Sequence, residues 1–192
     1  MRKYKGRATV EGFAKAHPID YSDWKNSIAL FGDSTTWGHS LQEQEMLHNI
    51  IDTDRHVNNF AYPGESNSHI LMRLLDQINE HGFPYCIVVG WTSPYRMAHF
   101  TKDNVESPPT NIQWQRDMVV PHKKQFEGYN EVIMESVRAI CKDKVKLLEW
   151  TIFGYNPNIL TWETKLEDHG ADKLHPGPKT MKQIARKIKE NL

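Results

Sequence analysis

The chain has 192 residues, with 24 Lys and Arg against 24 Asp and Glu, and its formal net charge is zero. Hydrophobic residues make up 39% and charged residues 25%, which excludes both a disordered chain and a membrane-embedded one. The balanced charge lacks the basic field that neutralises phosphates, so we expect no nucleic-acid partner. The length fits one domain over 1–192, in which 1–24 is an N-terminal arm of uncertain structure.

The start of the chain is basic, but no apolar run of signal-peptide length follows it. The longest apolar runs, 28–31 and 86–89, are far shorter than the roughly 20 residues that span a bilayer. We therefore expect a cytoplasmic protein that has no membrane contact. Cys86 and Cys141 lack a Cys-x-x-Cys spacing, which predicts two reduced, buried thiols.

Short apolar runs followed by segments of helical periodicity are typical of a parallel α/β sheet. The pattern predicts strands at 27–31, 56–61, 85–90 and 145–150, and a weaker fifth strand at 158–162. It predicts helices that begin at Asn67 and end at His81, and that cover 126–140 and 180–192. The segment 104–120 has little periodicity, and we interpret it as a long excursion that forms a lid or a binding wall.

Ser34 follows the first predicted strand, at the carboxyl edge where the loops of a parallel sheet converge. Gly32 permits a sharp turn there, and Ser34 begins a helix with its backbone N–H unpaired. Ser34 is therefore a candidate nucleophile. The alternative is that Ser34 serves only as a helix cap.

Asp172 and His175 lie three positions apart, just before the last predicted helix. This spacing lets Asp172 orient one ring nitrogen of His175 while the other acts as a base. The alternative is an ordinary surface pair. The combination with Ser34 favours catalysis, because a serine needs a base and the base needs an orienting group.

Three motifs together resemble the SGNH (GDSL) hydrolase superfamily: Gly32-Asp33-Ser34, Gly64 after the second strand, and Asp172-x-x-His175. The resemblance covers the chain from residue 27 to its end. It implies an α/β fold, a three-layer α/β/α sandwich with a flavodoxin-like parallel sheet of about five strands. It also implies a cofactor-free serine esterase in which Ser34 attacks an acyl ester, His175 is the general base and Asp172 positions His175.

In that family the oxyanion accepts from the serine N–H, a glycine N–H and the side-chain amide of an asparagine. Ser34 and Gly64 match the first two positions, and Thr92 occupies the position of the asparagine. A threonine hydroxyl donates one hydrogen bond on a shorter arm, and losing one oxyanion donor lowers the rate by about 10²–10³. We expect Thr92 to substitute for the asparagine. The alternatives are that Asn67 moves in, or that activity is weak or lost.

Asn67, Trp91 and Arg96 are weaker candidates for substrate binding. Arg96 suits an anionic or sugar substrate, but it also suits a structural salt bridge. Trp91, like Trp37 and Trp114, suits either a sugar ring or the core. Metal-ligand spacing is absent from the sequence, so we expect no metal.

The leading hypothesis is an esterase or carbohydrate deacetylase that acts on a small-molecule or glycan ester. The neutral charge fits an uncharged substrate. Two alternatives stay open: an acyltransferase that uses the same residues, and a non-catalytic glycan- or protein-binding module that retains the fold. The sequence leaves the oligomeric state open.

Overall fold

The computed structural model describes residues 17–96, 99–100, 105–106, 120–153 and 162–192. A five-stranded parallel sheet lies at its centre, and its strands in spatial order are β2 (Val57–Asn59), β1 (Ile28–Gly32), β3 (Cys86–Trp91), β6 (Lys146–Thr151) and β7 (Trp162–Glu163). A separate antiparallel pair consists of β4 (His99–Phe100) and β5 (Val105–Glu106). The predicted α/β class and the parallel sheet are confirmed.

The helices lie between these strands and after the last of them, and they are α1 (Ser34–Trp37), α2 (Leu47–Ile50), α3 (Asn67–His81), α4 (Val120–Cys141) and α5 (Pro178–Glu190). Short 3₁₀ turns cover Trp24–Asn26 and Glu43–Glu45. Helix α3 begins and ends where the sequence predicts, and it stops before Gly82, whose φ of 77° is readily adopted only by glycine. The helices predicted at 126–140 and 180–192 correspond to α4 and α5.

The alternation of side chains along β1 divides the core into two layers. Ala29 and Phe31 face a cluster that includes Ile70 of α3 and Met134 of α4. Ile28 and Leu30 face the opposite side of the sheet, where α2 and α5 contribute the buried side chains Leu47, Met181, Ile184 and Ile188. Because both faces are covered, β1 and β3 are buried along their whole length, and their sequences are almost continuously apolar. The three-layer sandwich is confirmed.

The four main strands occur within one or two residues of their predicted starts, although β2 is shorter than the 56–61 segment. Most of the predicted excursion at 104–120, including Trp114, lies outside the described residues, as does 158–161 of the predicted fifth strand. Of the N-terminal arm, residues 17–24 are described, and Trp24 enters the core. Cys86 and Cys141 are buried, and burial raises the pKa of Cys86 to about 12 and that of Cys141 to about 11.

Two glycines bring the first turn of α1 close to the sheet. Gly32 and Gly90 are register partners at the carboxyl ends of β1 and β3. A Cβ atom at either position would overlap Oγ1 of Thr36. The absence of side chains at both positions therefore lets α1 rest on the strand ends, with Ser34 as its first residue.

Candidate active site

Three neighbouring strands deliver the candidate residues to one edge of the sheet. The strand order β2-β1-β3 places the loops after these strands side by side. Ser34 follows β1, Gly64 follows β2 and Thr92 follows β3. This convergence at the carboxyl edge is the usual location of binding sites in open parallel sheets.

Ser34 lies at the start of α1, behind a buried capping residue. Asp33 caps the helix by accepting a hydrogen bond from the N–H of Thr35 at 2.9 Å. Within the described part of the chain, the backbone N–H of Ser34 has no hydrogen-bond acceptor, as expected for the first residue of a helix. The alternative role considered for Ser34, that of helix cap, belongs instead to Asp33.

The structure brings Ser34, His175 and Asp172 together in a hydrogen-bonded series. His175 Nε2 lies 2.9 Å from Ser34 Oγ, and His175 Nδ1 lies 2.5 Å from Asp172 Oδ2. Asp172 is an ionised acceptor, so Nδ1 carries the proton and Nε2 presents its lone pair to the Ser34 hydroxyl. This protonation pattern is the one a serine nucleophile requires of its base.

Backbone hydrogen bonds hold the Asp172 carboxylate in place. Its Oδ1 accepts from the N–H of Leu174 at 3.0 Å and from the N–H of His175 at 3.1 Å. The Leu174 N–H has the largest effect on the pKa of Asp172, and desolvation opposes it. The N–H and side chain of His175 and the side chain of Ser40 add to the effect of Leu174, so the pKa of Asp172 lies well below its ordinary value. Asp172 therefore stays ionised and continues to orient His175 over the whole neutral pH range.

The turn that carries Asp172 and His175 is closed by contacts at its base. The N–H of Gly170 donates to the carbonyl of His175 at 2.8 Å, and the N–H of Gly177 donates to the carbonyl of Asp168 at 2.9 Å. The Asp168 carboxylate also accepts from the N–H of Thr180 in the first turn of α5. These contacts anchor the turn to a helix that is packed against the sheet, so the imidazole has a fixed position.

Gly64 lies in the loop after β2, where its φ is 83°. This left-handed conformation is one that glycine adopts without steric cost. The next residue, Glu65, is buried and forms an ion pair with Arg73 of α3. Among the described residues, no acceptor is bonded to the Gly64 N–H, which leaves this group free to donate to a ligand at the edge of the sheet.

Thr92 does not direct its hydroxyl as the sequence predicted. The hydroxyl donates to Oδ2 of Asp33 at 2.5 Å, and Thr92 is fully buried. Because a hydroxyl has a single proton, this bond leaves none for an oxyanion. The predicted oxyanion role of the Thr92 side chain is therefore wrong for this conformation, and its hydroxyl stabilises the carboxylate beside Ser34.

Asn67 is also held by the protein. Its amide N–H groups donate to the carbonyl of Thr92 at 3.2 Å and to Oδ1 of Asn130 at 2.7 Å. Its own Oδ1 accepts from the N–H of Thr92 at 3.0 Å, and the side chain is fully buried. The prediction that Asn67 contacts substrate or moves into the oxyanion hole is corrected: Asn67 ties the start of α3 to the end of β3.

Trp91 belongs to the core. Only 2% of its surface is exposed, and its indole N–H donates to Oε1 of Glu149 at 2.9 Å. Arg138 of α4 forms an ion pair with the same carboxylate. The predicted substrate contact is wrong, because the last residue of a central strand points its side chain into a packed layer.

Arg96 forms an ion pair with the residue that precedes the candidate nucleophile. Its Nη1 lies 3.0 Å from Oδ2 of Asp33, the same oxygen that accepts from Thr92. The structure therefore supports the salt-bridge alternative for Arg96. Contact of Arg96 with a substrate stays a prediction.

His39 lies beside the hydrogen-bonded residues Asp172 and His175, and the sequence did not predict its place in the site. Its ring centroid is 4.6 Å from that of His175, and its Nε2 is 4.0 Å from Asp172 Oδ2. Burial, followed by the neighbouring His175, lowers the pKa of His39, and Asp172 opposes this effect. The available sequence signal was its position, five residues after Ser34 and just beyond the end of α1.

His39, Asp172 and His175 have ligand atoms that all lie within 4.8 Å of one another, a group that could hold a metal ion. The sequence showed no metal-ligand spacing, because His39 and Asp172 come from opposite ends of the chain.

Across the described ranges, no helix combines the length and apolar character needed to cross a membrane.

Two solved structures share this fold. One is the psychrotrophic esterase EstA from Pseudoalteromonas sp., in a form inhibited by monoethylphosphonate; its TM-score is 0.54 at 14% identity, over 86% of this chain and 96% of that chain. The other is TesA, with a TM-score of 0.52 at 13% identity, over 87% of this chain and 98% of that chain. The α/β fold that the sequence analysis expects is therefore shared with both of these structures. No known family profile and no curated protein sequence matches the chain.

Proposed function

We propose that this chain is a serine hydrolase that cleaves acyl esters through an acyl-enzyme. The observation that carries the proposal is the hydrogen-bonded series from Asp172 through His175 to Ser34, with distances of 2.5 Å and 2.9 Å. Both lie within the range in which a base can take a proton from a hydroxyl and be oriented by a carboxylate. The likeness to EstA in fold supports the same class of reaction.

In the first half of the reaction, Ser34 Oγ attacks the ester carbonyl while His175 Nε2 takes the hydroxyl proton. The carbonyl π bond breaks and its electrons form the oxyanion. When the tetrahedral intermediate collapses, the bond to the alcohol breaks and His175 gives its proton to the departing oxygen. Water then repeats these steps on the acyl-Ser34 ester, and the acid leaves.

Two backbone N–H groups would hold the oxyanion, those of Ser34 and Gly64. Backbone donors that are fixed before the reaction begins need little reorganisation when charge develops, which makes them effective in the transition state. The Asp33 carboxylate beside Ser34 would oppose that charge. Its contacts with Thr92 and Arg96 offset this effect, because both direct protons at the carboxylate.

The acyl group and its carrier are finer parts of the proposal. We propose acetyl esters, including those of carbohydrates, as the first substrates to test. With Trp91 in the core, the aromatic argument for a sugar depends, among the described residues, on Trp37, which is partly buried at the end of α1.

The test is turnover of a small activated acetyl ester by the wild-type chain and by Ser34→Ala. Ser136→Ala is the matched control, because Ser136 donates its hydroxyl to the Val132 carbonyl within α4. We expect Ser34→Ala to lose about 10⁴-fold or more in kcat, and Ser136→Ala to keep it. Undiminished turnover by a well-folded Ser34→Ala variant would overturn the proposal.

Product analysis then separates hydrolysis from acyl transfer, which uses the same residues. Release of free acid at the rate of alcohol release supports hydrolysis, whereas acyl transfer to an added sugar hydroxyl would favour the transferase. The absence of turnover in every variant would favour a non-catalytic binding module.

A further inference from the structure

A histidine, a carboxylate and a second histidine meet at the outer side of the candidate active site. His39 Nε2 lies 4.0 Å from Asp172 Oδ2, and His175 Nδ1 lies 2.5 Å from the same oxygen. The imidazole rings of His39 and His175 are 4.6 Å apart, centre to centre. The hydrolase proposal uses Asp172 and His175 but assigns nothing to His39.

The composition of this cluster suits one class of metal ion. Two imidazole nitrogens and one carboxylate oxygen form a common ligand set for zinc, which binds each such atom at about 2.0–2.2 Å and tolerates an open fourth position. Magnesium and calcium prefer sites made entirely of oxygen ligands. The donor set therefore selects zinc and similar divalent transition metals.

The cluster is accessible from solvent and is anchored on two sides. About 40% of the His39 side chain is exposed, against 26% for Asp172 and 23% for His175. The Asp172 carboxylate is fixed by two backbone N–H groups, and His39 follows the end of α1, where its N–H donates to the carbonyl of Ser34 at 3.0 Å. An ion can thus reach ligands that are already close together.

We propose that His39, Asp172 and His175 form an inhibitory zinc site at the edge of the active site. The ion would be held between His39 Nε2, Asp172 Oδ2 and one ring nitrogen of His175. A bound zinc ion and catalysis exclude each other, because each needs the ring nitrogens of His175. Zinc would take either the Nε2 lone pair that accepts the Ser34 proton or the Nδ1 atom that contacts Asp172.

The exclusion follows from the proton on His175. If zinc binds Nδ1, the proton of that nitrogen moves to Nε2, and the contact of Nδ1 with Asp172 is broken. If zinc binds Nε2, the nitrogen that should receive the Ser34 proton is occupied. In each case the imidazole no longer acts as an oriented base toward Ser34.

The binding experiment needs no catalytic activity. Zinc is titrated calorimetrically into tag-free, chelator-treated protein, with His39→Gln as the test variant. His56→Gln is the matched control, because it makes the same chemical change at an exposed histidine outside the cluster. We expect one zinc ion per wild-type chain, unchanged binding in His56→Gln, and affinity weakened by about tenfold or more in His39→Gln. Equal affinity of His39→Gln and the wild type, or no binding by the wild type, would overturn the inference.

The inhibition experiment rests on the proposed hydrolase function and is scored separately. Turnover is measured with and without zinc for each variant, and the ratio of the two rates is compared. We expect zinc to inhibit the wild type reversibly, with release by a chelator, and to require a higher concentration in His39→Gln. Zinc binding through His39 without turnover in any variant would overturn the hydrolase proposal but leave the metal site standing. Turnover insensitive to bound zinc would overturn the inhibitory role.

Discussion

The turn before α5 and the loop after β3 both lie at the active-site edge, but their polar side chains are used differently. In the turn, Asp172 and His175 direct their contacts toward each other and toward Ser34. In the loop, Thr92 and Arg96 both direct theirs at the buried carboxylate of Asp33. One region is therefore arranged around a reacting group, and the other around a neighbouring charge that must be satisfied.

The difference teaches that position at an active-site edge does not by itself give a residue a chemical role. A carboxylate that is almost fully buried is costly unless donors surround it. Asp33 is only 1% exposed, and it takes the hydroxyl of Thr92 and one N–H of Arg96. Their removal should therefore act first on stability, whereas removal of His175 should act first on turnover.

The largest effect is expected at His175. Replacement by Ala removes the group that takes the Ser34 proton, so we expect kcat for an activated acetyl ester to fall by about 10⁴-fold or more. The midpoint of urea unfolding should change little, since the imidazole is partly exposed. A variant that retains more than a tenth of wild-type turnover would show that His175 is not the base.

Thr92 tests the other region. Thr92→Val removes the hydroxyl that donates to Asp33 but keeps the branched shape, so we expect a loss of about 1–3 kcal/mol in the free energy of unfolding. Thr92→Ser keeps the hydroxyl and should lose less. Because the hydroxyl is committed to Asp33, kcat of Thr92→Val should fall by less than the factor of about 10²–10³ that an oxyanion donor contributes. The opposite result, unchanged stability with a loss of about 10²–10³ in kcat, would show that the Thr92 hydroxyl donates to the oxyanion.

Trp91, at the end of β3, also tests whether a residue near the active-site edge contributes to stability or contacts the substrate. Trp91→Phe removes the hydrogen bond to Glu149 and part of a buried ring, so we expect a loss of about 1–2 kcal/mol in stability. KM for small esters should stay unchanged, because the indole contacts the core. An increase in KM with unchanged unfolding would instead indicate contact with substrate.

The smallest expected effect is a dependence of folding stability on pH, which arises from two histidines, His48 and His17. Burial, followed by the neighbouring His17, lowers the pKa of His48 to about 4, and burial also lowers the pKa of His17. A histidine whose pKa is lower in the folded state binds fewer protons than in the unfolded state, so stability falls as pH decreases from 6.5 toward 4. We expect His48 to account for about 1 kcal/mol of the loss by pH 5, after allowance for its partial exposure.

Urea unfolding at pH 7 and pH 5 measures this dependence. The difference between the two pH values should shrink in His48→Gln, which cannot be protonated. An unchanged difference in that variant would assign the acid sensitivity to other groups.

The strand and helix pattern was predictable from the sequence because local periodicity sets it. The alternation of β1 side chains between the two core layers and the stop of α3 at Gly82 depend on neighbouring residues alone. The association of Ser34 with Asp172 and His175 was predictable for a different reason. A nucleophile, a base and an orienting acid require one another chemically, whatever their separation along the chain.

The contacts of Asn67, Trp91 and Thr92 could not be predicted in this way. Asn67 bonds to Asn130, Trp91 to Glu149 and Thr92 to Asp33, and each partner comes from a distant part of the chain. No local pattern marks these pairs, because they form only when helices and strands pack. The position of His39 beside Asp172 and His175 could not be predicted for the same reason, since both residues are distant from His39 in the sequence and become its neighbours only on folding.

The most direct measurement is covalent labelling with a fluorophosphonate probe, followed by intact-mass analysis and peptide mapping. An activated serine reacts with such a probe, whereas an ordinary surface serine does not. We predict a single adduct on Ser34 that is absent in Ser34→Ala and forms far more slowly in His175→Ala. Well-folded wild-type protein that remains unlabelled, or that is labelled at another residue, would contradict the proposal that Ser34 is an activated nucleophile.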